Sequence, residues 1–166
     1  MPIQRHESLR SLSRDHHVAL LLARAVQSDA SPQLRAGVPK EPRALADHVS
    51  RVFRDEIDAH FLTEENVLLP AIKGRDPALD AIWKEIETEH RELRSLASLL
   101  ADPTSDGAAL ARTLDRFGRL LESHVHKEER SFYHRIQEAL DPAAIESLGA
   151  KLERQVTSAP ARTSTR

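Results

Sequence analysis

The chain has 166 residues, enough for one domain with its own core, and its 40% apolar and 30% charged residues suit a folded globule rather than a disordered chain. Its 24 basic and 26 acidic residues leave a net charge of −2, which argues against a nucleic-acid binder with a concentrated basic face. It contains no Cys, which excludes disulfides, thiolate zinc sites and cysteine-bound iron–sulfur clusters, so any metal must be held by nitrogen and oxygen.

The opening residues lack the apolar core of a secretory signal, and no apolar run approaches the roughly 20 residues of a membrane span. A cytoplasmic protein that touches neither membrane nor nucleic acid is the expectation. Helical periodicity begins at about residue 8 and runs to about 28, with Leu9, Leu12, His16, Leu20 and Ala23 on one stripe. Residues 31–42 carry Pro and Gly and read as a crossing loop. A second helix is expected over about 42–73, with the stripe Leu45, Val49, Phe53, Ile57 or Glu56, His60, Glu64 and Val67. Pro70 should bend or end it near Leu69.

After a short turn, Asp76 reads as an N-cap with Pro77 at the first helical position. The third helix then carries Leu79, Ile82, Ile86, His90, Leu93, Ala97 and Leu100 inward. Residues 101–107 are the next break. The fourth helix, about 108–140, has the clearest stripe, Leu110, Leu114, Phe117, Leu121, His124 and Glu128, and Asp141-Pro142 stops it. A weaker helix is expected over 143–155, and the Thr-, Ser- and Arg-rich residues 156–166 read as a disordered tail on a single domain of residues 1–155. No segment alternates as a strand does. The expected fold is all-α, an antiparallel up-down-up-down four-helix bundle.

Two stretches repeat one pattern, His60-x3-Glu64-Glu65 and His124-x3-Glu128-Glu129, and Arg14-Asp15-His16 is echoed by Thr88-Glu89-His90. Residues four apart share a helix face, so His16, His60, Glu64, His90, His124 and Glu128 all fall on stripes that should be apolar. Burying them without partners is costly, and a metal is the simplest compensation. Imidazole with carboxylate suits Fe, Zn, Mn or Cu. Two ions bridged by both carboxylates use six ligands better than one ion does.

Of the remaining His, His6, His48, His126 and His134 are expected at the surface, and His16 is preferred over His17 because it continues the Leu9–Leu12–Leu20 stripe. Glu65 and Glu129 either orient ligating imidazoles or lie in water, the latter being slightly favoured, and Asp15 and Glu89 carry the same two readings. Trp83 is expected in the core, two turns from the metals. Regular helical geometry places the single Tyr, Tyr133, away from the site.

The runs Leu12-Ser-Arg-Asp15-His16, His60-x3-Glu64-Glu65-Asn-Val-Leu-Leu-Pro70, Glu89-His90-Arg-Glu-Leu and His124-x3-Glu128-Glu129 resemble the hemerythrin-like (HHE cation-binding) domain over about residues 8–140. The resemblance implies a four-helix bundle around a non-heme di-iron centre with an oxo or hydroxo bridge and an open position for O2. It makes His16, His60, His90 and His124 terminal ligands, and Glu64 and Glu128 bridging carboxylates. The oxygen carriers of that family place another His four residues after the third-helix His. Arg94 stands there in this chain, leaving room for solvent or an extra carboxylate such as Glu56, or setting a positive charge near bound anions.

That departure favours a di-iron protein that binds or senses O2 or a related small oxidant, peroxide or NO, over reversible O2 carriage. An enzyme reducing peroxide or NO, and an iron-handling or regulatory module with a structural metal, are the alternatives. Zn or Mn are the other metals these ligands accept.

Overall fold

Each expected stripe becomes a helix in the computed structural model, which describes residues 5–105 and 107–158 and has no strand among them. A 3-10 turn, Glu7–Leu9, leads into α1, Arg10–Ala25. The crossing segment contains one short helix, α2, Pro32–Arg35. α3 runs unbroken over 42–72, α4 is Pro77–Ala101, α5 runs over 107–139, and α6 is Pro142–Ser158. Asp76 caps α4 by accepting from the Ala78 N–H at 2.8 Å, with Pro77 directly after it, as the sequence suggested. Gly74, at φ 74°, closes α3 in the left-handed conformation that costs a glycine least.

Pro70 does not end α3, which continues to Ile72. The reason lies just before it. α3 contains two π segments, Phe53–Ile57 and Glu64–Leu68, and α5 contains a third, Glu128–Phe132. A π turn bonds residues five apart and is wider than an α turn. Pro70 follows that widened turn directly, where the usual clash with the carbonyl four residues back is relieved. The Glu64–Leu68 insertion also shifts the inward register of α3, where Val67, expected on the inward stripe, is half-buried and Leu68 is buried. On α1 and α4, Leu20 and Ile82 are likewise half-buried while their neighbours Ala19 and Trp83 are buried.

α6 extends three residues beyond the helix expected for that region, and residues 159–166 of the anticipated tail lie outside the described residues. α5 packs against both α1 and α4, α4 packs against α3, and the Phe53–Ile57 segment of α3 touches α1, which closes the ring of four long helices. α6 covers one end, against the 3-10 turn and the Glu64–Leu68 segment. No helix among the described residues is long and apolar enough to cross a membrane.

The apolar core falls into two clusters. One includes Ala19, Ala23, Val49, Ile57, Phe61, Leu93, Phe117, Leu121 and Val125. The other includes Leu9, Leu12, Leu68, Trp83, Ile86, Phe132, Tyr133, Ile136 and Leu148. On each long helix the polar buried residues sit in sequence between the two: His16 after Leu12, Glu64 before Leu68, His90 after Ile86, Glu128 before Phe132. A polar layer thus crosses the middle of the bundle.

Candidate metal centre

That layer is made of the six residues expected from the sequence. His16, His60, Glu64, His90, His124 and Glu128 are all buried, none more than 5% exposed. His17 is exposed, while His16 is buried. His6, His48, His126 and His134 are only partly buried and lie outside the layer. His6 caps the 3-10 turn through Nδ1, and His134 faces Glu138 at 3.4 Å.

Regular α geometry places His60 one turn before Glu64, because the Glu64 N–H still bonds the His60 carbonyl. The ligand atoms form two groups: Glu64, His90, His124 and Glu128, and His16, His60 and Glu128, each with all its atoms within 4.8 Å of one another. Glu128 belongs to both. Its Oε1 lies 3.2 Å from His124 Nε2, and its Oε2 lies 3.0 Å from His16 Nε2. Glu64 Oε2 lies 3.4 Å from His90 Nε2 and 3.8 Å from His60 Nε2.

These atoms crowd together without bonding one another. Glu64 Oε2, His90 Nε2, His124 Nε2 and both Glu128 oxygens make no hydrogen bond. An unsatisfied buried polar atom costs roughly 1–3 kcal/mol. The layer therefore calls for cations, metal ions or protons, among these atoms. His16 Nε2 and His60 Nε2 face each other at 3.0 Å. Both rings turn Nδ1 toward a carboxylate, which leaves two lone pairs opposed unless a cation or a proton lies between them. This donor set could hold metal ions, all its ligands being nitrogen and oxygen of the types Fe, Zn and Mn accept.

Without metal, protons take part of that role. Burial disfavours the His124 imidazolium, but the Glu128 and Glu89 carboxylates outweigh it and raise His124 to about 10. His16, likewise buried, is raised to about 9 by Glu128 and Glu129. Burial alone would lift the Glu128 carboxyl, yet His124 and His16 hold it well below its ordinary range. A metal must displace those protons, so metal affinity increases with pH through neutrality, which occupancy measured against pH will show.

Four carboxylates surround the layer. Glu129 Oε1 accepts from His16 Nδ1 at 2.7 Å, Glu65 Oε1 from His90 Nδ1 at 2.9 Å, and Glu89 Oε2 from His124 Nδ1 at 2.9 Å. Asp15 Oδ2 lies 3.4 Å from His60 Nδ1. Glu65 and Glu129 are therefore bonded to imidazoles rather than left in water. Each carboxylate sits next in sequence to one ligand and reaches the imidazole of the next helix. The contacts run from α5 to α1, α1 to α3, α3 to α4 and α4 to α5, closing a ring. They fix the tautomer of each imidazole, with Nε2 turned inward.

Cations back three of these acids. Arg5 Nη2 donates to Glu129 at 2.5 Å, Arg94 Nη1 to Glu65 at 2.8 Å, and Lys127 Nζ to Glu89 at 2.6 Å. Arg94 also donates from Nε to Asp58 at 2.6 Å. It neither swings to solvent nor faces the ligands. Arg94→Gln is expected to leave the fold intact and to weaken metal held by His90 and His124 by about tenfold, the usual size for outer-shell changes; chelator competition measures it.

Tyr133 lies inside the site, against the expectation from regular helix geometry. Five residues past Glu128, it would stand about 140° away around an α-helix. The π segment brings it back: the Tyr133 N–H bonds the Glu128 carbonyl, and the two residues share a face. Its hydroxyl donates to Glu64 Oε1 at 2.8 Å and lies 3.4 Å from His16 Nε2. Burial and the nearby Glu64 and Glu128 carboxylates push the phenol well above its ordinary value, so it remains an O–H donor. Trp83 is core, as expected, but its ring also meets the edge of His90, with centroids 5.9 Å apart.

A cavity of about 60 Å³ reaches His16, His60, His124 and Glu128 between the apolar walls of Ala19, Ile57 and Leu121. Glu56 lines it without joining either ligand group. A water needs about 10–15 Å³, while pockets for organic ligands run to roughly 300–1,000 Å³. The cavity has room for a diatomic molecule or a peroxide.

The family model for the hemerythrin HHE cation-binding domain matches residues 7–136. No curated protein and no solved structure gave a match. The matched span holds the polar layer, its ring of carboxylates and Tyr133, and with most of its length so matched the chain belongs to the hemerythrin HHE cation-binding domain family.

Proposed function

We propose that this is a non-heme di-iron protein that binds or senses O2 or a related small oxidant, with His16, His60, Glu64, His90, His124 and Glu128 as its metal ligands. The observation that carries the reading is the pair of buried ligand groups that share Glu128. A pair of irons would supply one-electron redox chemistry toward a small oxidant. The chain's own part is to hold the ligands and shape the access. The carboxylate ring aims the imidazoles, and Phe61, stacked on His90 with centroids 3.8 Å apart, keeps water from that side. The cavity gives a small molecule access to the ligands. Metal analysis of protein purified without added metal, paired with a visible spectrum, tests the cofactor. About two irons per chain are expected, and Zn or Mn in their place would reject iron. Stopped-flow mixing of the reduced iron protein with O2 tests the ligand, and absence of any spectral change would count against it.

One observation favours the enzymatic alternative, reduction of peroxide or NO. Tyr133 holds a proton on its hydroxyl within the ligand layer, where a reaction that consumes protons needs one. Multiple-turnover assays with peroxide and with NO separate the two readings, since a sensor reacts once and stops.

A further inference from the structure

We infer that Tyr133 makes the two metal positions unequal by tying up one oxygen of Glu64. The inference rests on the dinuclear reading above. The two glutamates occupy matching places, each four residues after a His and each opening a π segment. On sequence they should serve alike. They do not. Glu128 has both oxygens free of hydrogen bonds and directs one to each ligand group. Glu64 has only Oε2 free, because Oε1 accepts from Tyr133 at 2.8 Å.

The matching position after Glu64 is Leu69, which has no hydroxyl to offer Glu128. The asymmetry therefore comes from one side chain. The group of His90 and His124 includes both carboxylates, while that of His16 and His60 includes Glu128 alone. The ion beside His16 and His60 has fewer protein atoms to hold it. It is the weaker site and the first to lose its metal. The cavity reaches both of its imidazoles. Tyr133 is a positioning residue here, acting through Glu64, and its ring, which stacks on His16 with centroids 5.5 Å apart, packs the same way without the hydroxyl.

The test uses Co2+ added stepwise to the full metal-free chain, followed by its visible absorption, with wild type, Tyr133→Phe and His16→Ala. Wild type is expected to take two ions in two resolved steps. His16→Ala should lose the weaker step and keep the stronger. Tyr133→Phe should keep both, with the weaker step tightened by about tenfold as Glu64 Oε1 becomes available. Two steps with unchanged separation in Tyr133→Phe would overturn the inference alone. So would loss of the stronger step in His16→Ala, which needs no folded Tyr133 variant. Uptake of a single ion by wild type would overturn the dinuclear reading and the inference together.

Discussion

Glu128→Gln is expected to empty both metal positions at once. Glu128 is the only residue common to the two ligand groups among the described residues. Its oxygens lie 3.2 Å from His124 Nε2 and 3.0 Å from His16 Nε2. Glutamine keeps the shape but replaces one ligand oxygen with an amide nitrogen that has no lone pair to give, and it removes the charge. On the dinuclear proposal each ion would lose a donor, and the anion that balances them would be gone. The metal-free chain also suffers. The imidazoliums of His16 and His124 lose the carboxylate that holds them charged. Removing one partner from a buried pair costs about 3–5 kcal/mol. Metal content near zero together with a lower melting temperature is the expected pair of results, whereas His16→Ala and His124→Ala should each retain one ion. A Glu128→Gln protein that still carries two metals would remove Glu128 from its central place.

Gly118→Val should lower the melting temperature by about 6–12 °C, from an overpacking penalty of about 3 kcal/mol. Gly118 sits on α5 against α1. A Cβ there would come within 2.4 Å of the Ala23 carbonyl and 2.8 Å of Val26 Cγ2. The first of these is backbone and cannot rotate away, so α1 must move off α5. On helix propensity alone, replacing a glycine inside a helix with alanine gains about 1 kcal/mol, and with valine less. The contact therefore decides the sign, and even Gly118→Ala should destabilise. His16 lies two turns before Ala23 on the same helix, so the displacement also pulls one imidazole away from Glu128. Circular-dichroism melts of the metal-free protein measure the first effect, and metal uptake the second. An unchanged melt for Gly118→Val would mean the α1–α5 contact is looser than these distances imply.

How far the site could be read in advance differs by residue. His16, His60, Glu64, His90, His124 and Glu128 stood out because an ionisable side chain on an apolar stripe contradicts its surroundings. The all-helical fold followed from the same stripes. Tyr133 was missed because the reading assumed 3.6 residues per turn throughout. Phe132 and Tyr133 are consecutive buried residues before Ile136, but adjacent buried pairs such as Leu22 and Ala23 also occur on regular α turns, so the pair gave no distinct sign of a π turn. Whether a turn is α or π depends on what packs against it, which one sequence does not display. Glu65, Glu129, Asp15 and Glu89 were harder still, since a glutamate on a helix is usually solvated. Their clue was position, each adjoining a ligand, but their partners lie on other helices and became visible only with the bundle assembled. Arg94 was recognised as a missing imidazole. Its true neighbours, Asp58 and Glu65, belong to α3 and not to its own helix.

The layer that separates the two apolar clusters has a consequence for how the molecule comes apart. Oil-like cohesion cannot pass through a sheet of charges, so each end of the bundle must hold together on its own, and α6 helps hold only one of them. An ion bound at mid-height acts as a rivet through all four rods. Without such an ion the two ends are expected to melt separately, so metal binding would decide not only how firmly the chain is folded but whether it unfolds as one body or as two.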